Sequence, residues 1–286
     1  MPMSVMQGIG VLSSISFSGT RLADAFQKGL GSRETYINVQ DNRGYDPQSL
    51  NHGVHTLNND VKVGLIVTAG GLVSAQVAAR KTGATLPFIS LVGGTPGAFP
   101  SPGQGYFRGG VSLETFAHNP HRVAHLKALG IPENEVCLLS NPNSYMAAAE
   151  TAAWVSSGRG PVITAGASTG LGASNSTATY RPAFAAIAAA NMMAVVVSAD
   201  PFFKETMDEL IDAANSWIAG GQGRRICYPL HDYMNAAGRC KPTPGHTLHG
   251  PVLEDAYELL GKTAAAFLAG QPTTLRALAI GAAHDH

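Results

Sequence analysis

The run Val195-Val196-Val197-Ser198-Ala199-Asp200-Pro201-Phe202-Phe203 constrains the fold more than any other part of the chain. Three consecutive β-branched residues predict a strand covered on both faces, the mark of a parallel sheet lying between helix layers. Pro201 cannot donate to a strand ladder, so the strand stops there. From Lys204 to Ile218 apolar residues recur at helical spacing, which predicts a helix returning across the sheet. In open α/β sheets the polar loops at the carboxyl ends of such strands are where small ligands are held.

The same grammar repeats along the chain. Strands are expected at Gly8 to Ser13, Thr35 to Val39, Val63 to Thr68 and Pro87 to Val92. Helices are expected between them at Thr20 to Leu30, Gln48 to Asn58 and Leu72 to Lys81. The stretch Gly94 to Gly110 carries Pro96, Pro100 and Pro102 among many glycines and predicts a long loop, a rim or lid over a cleft. A second series follows: helix Phe116 to Leu129, strand Val136 to Leu139, helix Tyr145 to Val155 and strand Pro161 to Thr164. After a Gly/Ser-rich loop to Thr177 come a helix from Arg181 to Ala190, the strand 194–198, the helix 204–218 and a strand Arg225 to Tyr228. Gly238 to Gly250 is Gly/Pro-rich and expected as a crossing, and Val252 to Leu268 is the last long helix. Strand–helix alternation in two series predicts an α/β protein of two Rossmann-like lobes, each a parallel sheet flanked by helices, with a ligand cleft between them.

Charge narrows the partners. Lys+Arg and Asp+Glu balance at 19 each and charged residues make up only 13% of the chain, about half the usual share, which argues against nucleic acid or an anionic membrane as partner. The amino terminus lacks a basic segment followed by a long apolar one, and nothing approaches the ~18 apolar residues of a membrane span. The expected location is periplasmic if a signal peptide has been removed and cytoplasmic if the chain is complete as written. Cys137, Cys227 and Cys240 form no CxxC pair; the first two lie in apolar strands and are expected as buried thiols, with a Cys227–Cys240 bridge left open.

Several segments, taken in order, resemble the tryptophan/tyrosine-type substrate-binding proteins of ABC transporters. They are Ala25-Phe26-Gln27-Lys28-Gly29-Leu30, Val67-Thr68-Ala69-Gly70-Gly71, Asn141-Pro142-Asn143, Ala199-Asp200-Pro201-Phe202-Phe203, Tyr228-Pro229 with Asp232-Tyr233 and Ala237-Gly238, and Asp255-Ala256-Tyr257. The resemblance implies a type I periplasmic-binding-protein fold, with residues 1–113 plus 242–286 as one lobe and 114–241 as the other. It implies a solute-binding component of an ABC importer, partnered by a permease, that closes about a hinge on an amino acid or small, possibly aromatic, carboxylate. The chain departs from the family at Arg239-Cys240-Lys241-Pro242-Thr243-Pro244-Gly245, where the family has Leu-Met-Ser-Tyr-Gly. It also has a short tail, in which Leu275 to Ile280 is the one candidate last strand.

The ligand would be gripped by loops at strand carboxyl ends. Those loops offer Ser13, Ser14 and Ser16 after the first strand, Gly70 and Gly71 after the third, and Gly94 and Thr95 after the fourth. The second series offers Asn141, Asn143, Tyr145, Ser198, Asp200 and Tyr228, with His246 in the altered crossing. Backbone N–H groups at glycine- and serine-rich helix starts suit a carboxylate, and Asp200 suits an ammonium. A rival reading is an enzyme on the same scaffold, hydrolase-like, with Ser168, His246, Asp200 and Tyr228 as its candidates. Gly166-Ala167-Ser168-Thr169-Gly170 matches G-x-S-x-G, yet more Gly, Ser and Asn follow and no helix is expected before about Ala178, where a nucleophile elbow needs one at once. A cytoplasmic ligand sensor is the other rival; a transcriptional effector domain would need a helix-turn-helix, and none precedes the first strand. His52/His55, His118/His121 and His246/His249 stand three apart without a third ligand at diagnostic spacing, so no metal is expected. No cofactor is expected either, because neither a dinucleotide fingerprint nor a Walker lysine is present.

Overall fold

The computed structural model describes residues 8–13, 17–31, 35–41, 47–70, 86–93, 106–114, 117–142, 145–166, 176–231, 244–278 and 284–285. Its contacts divide the chain into two compact units, Met1–Glu114 with Leu253–Leu278, and Thr115–Val252 with Ala279–His286.

In the first unit the strands are β1 (Gly8–Ser13), β2 (Ile37–Asp41), β3 (Val63–Ala69), β4 (Phe88–Val92), β5 (Phe107–Ser112) and β11 (Leu275–Ala277). They form one sheet in the order β11-β5-β4-β3-β1-β2, parallel throughout. β1 and β4 are buried along their whole length, whereas the edge strand β2 is half-buried, as a strand with one neighbour should be. Helix α2 (Pro47–Asn59) places Leu50, Val54 and Leu57 in a core with Leu12, Val63, Ile66, Phe88 and Phe107. Helix α1 (Arg21–Leu30) buries Leu22, Phe26, Gly29 and Leu30, one stripe at helical spacing, and packs on the long helix α8 (Leu253–Leu268). At the crossing two glycines meet. A Cβ on Gly29 would lie 2.0 Å from the Glu258 carbonyl oxygen, and one on Gly261 would lie 2.2 Å from that of Phe26. Surface ion pairs Lys28–Glu258 and Lys262–Glu258 at 2.6 Å and Arg21–Glu254 at 3.3 Å flank the same seam and add little, being solvated.

The second unit holds β6 (Val136–Ser140), β7 (Val162–Thr164), β8 (Ala194–Val197), β9 (Arg225–Tyr228), β10 (His246–Leu248) and β12 (His284–Asp285). The sheet order is β12-β10-β9-β8-β6-β7, with every pairing parallel except β10 to β12 at the edge. Helices α3 (Asn119–Ala128) and α4 (Tyr145–Ser156) contribute Val123, Leu126 and Trp154 to a core with Val136, Leu138, Val196 and Cys227. Helices α5 (Ser176–Ala189) and α7 (Met207–Ala219) pack together, with Phe184 and Trp217 rings 5.8 Å apart. Cys137 and Cys227 are both buried, and burial pushes the Cys137 thiol up to about 12. Cys240 lies outside the described residues.

The sequence reading and the structure differ at several places, one of them β12, which follows Leu275 to Ile280, the last strand expected. The stretch expected as loop to Gly110 contains strand β5, whose Gly109 and Gly110 take φ of 103° and 144° that side-chain-bearing residues rarely adopt. Glycines that look like breakers in the sequence here let β5 lie close against β4, since a Cβ on Gly110 would meet the Ser90 carbonyl oxygen at 2.0 Å. The expected crossing Gly238 to Gly250 contains β10, which belongs to the second unit. The helix expected from Arg181 starts at Ser176 and carries Pro182 inside it, at its seventh residue, where the missing N–H costs one backbone hydrogen bond of the helix. The helix expected from Phe116 starts at Asn119, with Pro120 in its first turn. The helix expected from Lys204 is two: α6 (Pro201–Glu205), with Asp200 as N-cap and Pro201 in its first turn, and α7. The helix expected at Leu72 to Lys81 and the loop residues 94–105 lie outside the described residues.

Candidate functional site

The second unit gathers polar side chains where β6, β7 and β8 end. Asn141 follows β6, Gly166 follows β7 and Asp200 follows β8, and these three strands are neighbours in the order β8-β6-β7. The Asn141 side chain joins them. Its Nδ2 donates to Asp200 Oδ1 at 3.1 Å, and its Oδ1 lies where Gly166 comes so close that a Cβ there would sit 2.4 Å away. Asp200 Oδ1 also accepts from the Phe202 N–H at 2.9 Å, the N-cap bond of α6. So Asp200 performs two tasks with one oxygen: it starts a helix and aims the Asn141 amide. Asn141 and Asp200 are both buried.

Beneath this cluster runs a buried polar chain that sequence reasoning missed. Glu150, on α4, is fully buried. Its Oε2 accepts from the Ser198 hydroxyl and its Oε1 from Asn119 Nδ2 at 2.7 Å. Asn119 Oδ1 accepts from Arg122 Nη1 at 2.6 Å, and Arg122 Nε donates to the His249 carbonyl at 2.9 Å. Arg122 Nη2 stands 3.5 Å from the Pro229 carbonyl. Burial raises the Glu150 carboxyl above its ordinary range; the bonds from Ser198 and Asn119 and the charge of Arg122 work to lower it, while Asp200 raises it further. A spacing signal was present. Glu150 stands four residues before buried Trp154, and Arg122 four before buried Leu126, so each is a polar residue set in a buried helical stripe. Ser140 and Thr151 hydroxyls, 3.2 Å apart, close the same layer.

Tyr228 and His246 also come together, in a network of their own. The Tyr228 hydroxyl lies 3.0 Å from His246 Nδ1, the rings stack at 5.6 Å, and His246 Nε2 lies 2.9 Å from Asn215 Oδ1 on α7. Both residues are fully buried, and burial holds the Tyr228 hydroxyl well above its usual range. Both imidazole nitrogens of His246 therefore have neighbours inside the unit.

In the first unit, Ser13 is buried at the end of β1 and Gly70 follows β3 with φ 85°. Asp41 Oδ2, at the end of β2, accepts from the N–H groups of Phe17 at 3.1 Å and Ser18 at 3.3 Å, ahead of α1. Buried Thr68 and Ser90 hydroxyls lie 2.7 Å apart across β3 and β4. Ser14, Ser16, Gly71, Gly94, Thr95, Asn143 and Ser168 lie outside the described residues, and Tyr145 is the first residue of α4.

Histidines gather at one edge of the second unit. The rings of His118 and His121 are 6.1 Å apart and those of His121 and His249 are 5.9 Å apart. Among the described residues no group of three or more His, Cys, Asp or Glu is arranged to hold a metal ion. His249 is pushed down to about 4, first by burial, then by the positive Arg122 and by His121, His125 and His231. Its ordinary value is 6.5, so below that pH the unfolded chain takes a proton that the folded protein refuses. This contribution to stability is complete above pH 6.5 and falls away as the pH drops towards 4. Glu150, whose carboxyl is raised, works in the opposite direction. The difference between wild type and His249→Gln isolates the histidine: the midpoint of thermal unfolding of the variant should fall less steeply from pH 7 to pH 5. Parallel profiles would show that His249 carries no such linkage.

No protein-family model matches the chain, and no curated protein matches it. Solved structures do. The ABC domain in complex with L-Trp from Streptococcus pneumonia superimposes with a TM-score of 0.72 at 17% identity, covering 97% of this chain and 90% of that one. An ABC sugar transporter subunit from Rhodobacter sphaeroides gives 0.67 at 14% identity, covering 98% of each chain. A periplasmic binding protein/LacI transcriptional regulator from Alkaliphilus metalliredigens, complexed with D-xylulofuranose, gives 0.62 at 9% identity over 98% of each chain. The fold is type I periplasmic-binding-protein-like. At these identities the likeness is one of fold, because solute-binding proteins and regulators with different ligands share it. Within the type I fold, the cluster at Asn141 and Asp200 lies at the carboxyl ends of parallel strands, where ligands bind in open α/β sheets. Among the described residues no helix is long and apolar enough to cross a membrane.

Proposed function

We propose that this chain is a small-molecule binding protein, the solute-binding component of an ABC importer, and that its ligand is an amino acid or a related small carboxylate. It acts by closing its two units on the ligand, whose differential affinity for the closed state supplies the driving force. The observation that supports this most is the Asn141–Asp200 pair, a fixed amide beside a carboxylate at three adjacent strand ends. An amide that both donates and accepts suits a carboxylate or hydroxyl, and a carboxylate suits an ammonium. Ser13, Gly70 and the segment Phe17–Ser18 held by Asp41 are the first unit's contribution. Tyr228 and His246 act from beneath, bracing β9 and β10.

Calorimetry with L-tryptophan and L-tyrosine on the purified protein tests the ligand class. Saturable binding to wild type is expected, and Asp200→Ala is expected to weaken it by about tenfold, or ~1.4 kcal/mol. The same variant loses an N-cap and should lower stability by about 1 kcal/mol, leaving the fold intact. Unchanged affinity in a folded Asp200→Ala protein would remove Asp200 from the site. A cytoplasmic ligand sensor is the second reading, since a regulator shares the fold. It predicts the same binding with no interaction with a permease. The enzyme reading has less support: His246, its natural base, and Tyr228 beside it are fully buried, out of a substrate's reach.

A further inference from the structure

We propose that Glu150 is a positioning residue for the turn Ser198–Asp200, and that the buried chain Arg122–Asn119–Glu150–Ser198 links the seat of that turn to the main chain where it leaves β9 and β10. The inference rests on the reading above, in which this turn and Asn141 face the small molecule. Three observations carry it. All four side chains are buried, so each polar atom must be satisfied inside the protein. The chain spans separate elements: Arg122 and Asn119 from α3, Glu150 from α4, Ser198 from the end of β8, and the carbonyls of Pro229 and His249 beyond β9 and β10. And His249, whose carbonyl Arg122 holds, stands three residues before the second unit ends at Val252 and the chain enters the first unit at Leu253.

A buried arginine and glutamate are poor sources of stability compared with well-packed apolar residues, so their presence points to a geometric task. Here that task is registration. The Glu150 carboxylate bonds Ser198, whose neighbour two residues on, Asp200, holds the Asn141 amide. Displacing Pro229 or His249 shifts Arg122, then Asn119, then Glu150, and so alters where Ser198 and Asp200 sit. Asp200 also acts on Glu150 through their like charges, and a ligand ammonium brought to Asp200 offsets the field on both.

Glu150→Gln tests this. The amide keeps the shape and an acceptor for Asn119, but the group facing Ser198 can then only donate, so the charge-assisted bond from the Ser198 hydroxyl gives way to a weaker neutral one in which that hydroxyl accepts. Hydrogen exchange of the unliganded protein is the first readout. In the variant, exchange is expected to rise together at 198–203 and at 229–231 and 249–251, by about tenfold. A merely structural role would raise it in α4 and the strands beneath it alone, and that pattern would overturn the link. Calorimetry with L-tryptophan is the second readout, where the variant should lose about tenfold in affinity at a wild-type-like melting temperature. Equal affinity in both proteins would overturn the positioning role. If wild type binds no L-tryptophan, the ligand reading fails while the exchange pattern still decides the link. Should Glu150→Gln not fold, Ser198→Ala removes the last hydroxyl and no charge; it should raise exchange at 249–251 as well as at 199–203, and no change at 249–251 overturns the proposal.

Discussion

Arg122→Ala is expected to destabilise the second unit by about 3–5 kcal/mol, the usual loss when one partner of a buried charged network is removed. The guanidinium donates to Asn119 Oδ1 and the His249 carbonyl and faces the Pro229 carbonyl, and it is fully buried. Truncation takes a donor from each of those acceptors and removes the positive charge that offsets the buried Glu150. Urea unfolding should show the change directly, with a lower midpoint for the transition that reports on Trp154 and Trp217. Arg122→Lys should recover little, because an ammonium on a flexible stem cannot serve acceptors arranged around a planar fork. The decisive variant is the double change Arg122→Met/Glu150→Met, which removes both charges and keeps apolar volume. It is expected to be closer to wild type than Arg122→Ala, since isosteric apolar replacement of a buried pair is often near neutral. Additive losses in the two single Met variants and the double would show that Arg122 and Glu150 are uncoupled.

Gly29→Ala is expected to lower the stability of the first unit by about 2–3 kcal/mol, against the sign that helix propensity alone predicts. In an isolated helix this change stabilises by about 1 kcal/mol, because glycine has more backbone freedom to lose. Here the new methyl would sit 2.0 Å from the Glu258 carbonyl oxygen and 2.9 Å from the Lys262 backbone nitrogen, so α1 and α8 must separate. Neither obstacle is a flexible side-chain end that could swing aside. The separation loosens the seat of Phe26, Leu22 and Tyr257, which lie buried in those two helices. Thermal unfolding should show a midpoint several degrees lower, at about 2–4 °C per kcal/mol for a chain of this size. A variant as stable as wild type would mean that the two helices shift apart freely.

Much of the architecture was legible because its signals are local. Val195 to Val197 are fully buried in a parallel sheet, as three β-branched residues in a row require. The stripes of α1 and α8 follow from their spacing. The candidate site was legible in part: Asn141, Ser198 and Asp200 fall where strands end, and the structure brings them together in one unit. Glu150, Asn119 and Arg122 were not found, because a polar residue on an apolar stripe shows its partners only when distant segments are brought side by side.

The alternation of strands and helices, the balanced low charge and the polar segments after the strands were therefore set by the sequence alone, since each is read from residues close together in the chain. Only the tertiary structure decided that β5 and β10 are strands, that Gly29 and Gly261 mark a helix crossing, and that Tyr228 and His246 stack on one another. Those features depend on residues far apart in the chain: Gly110 is strand because Ser90 lies beside it, Gly29 is glycine because of Glu258, and His246 is buried because Tyr228 and Asn215 satisfy its ring.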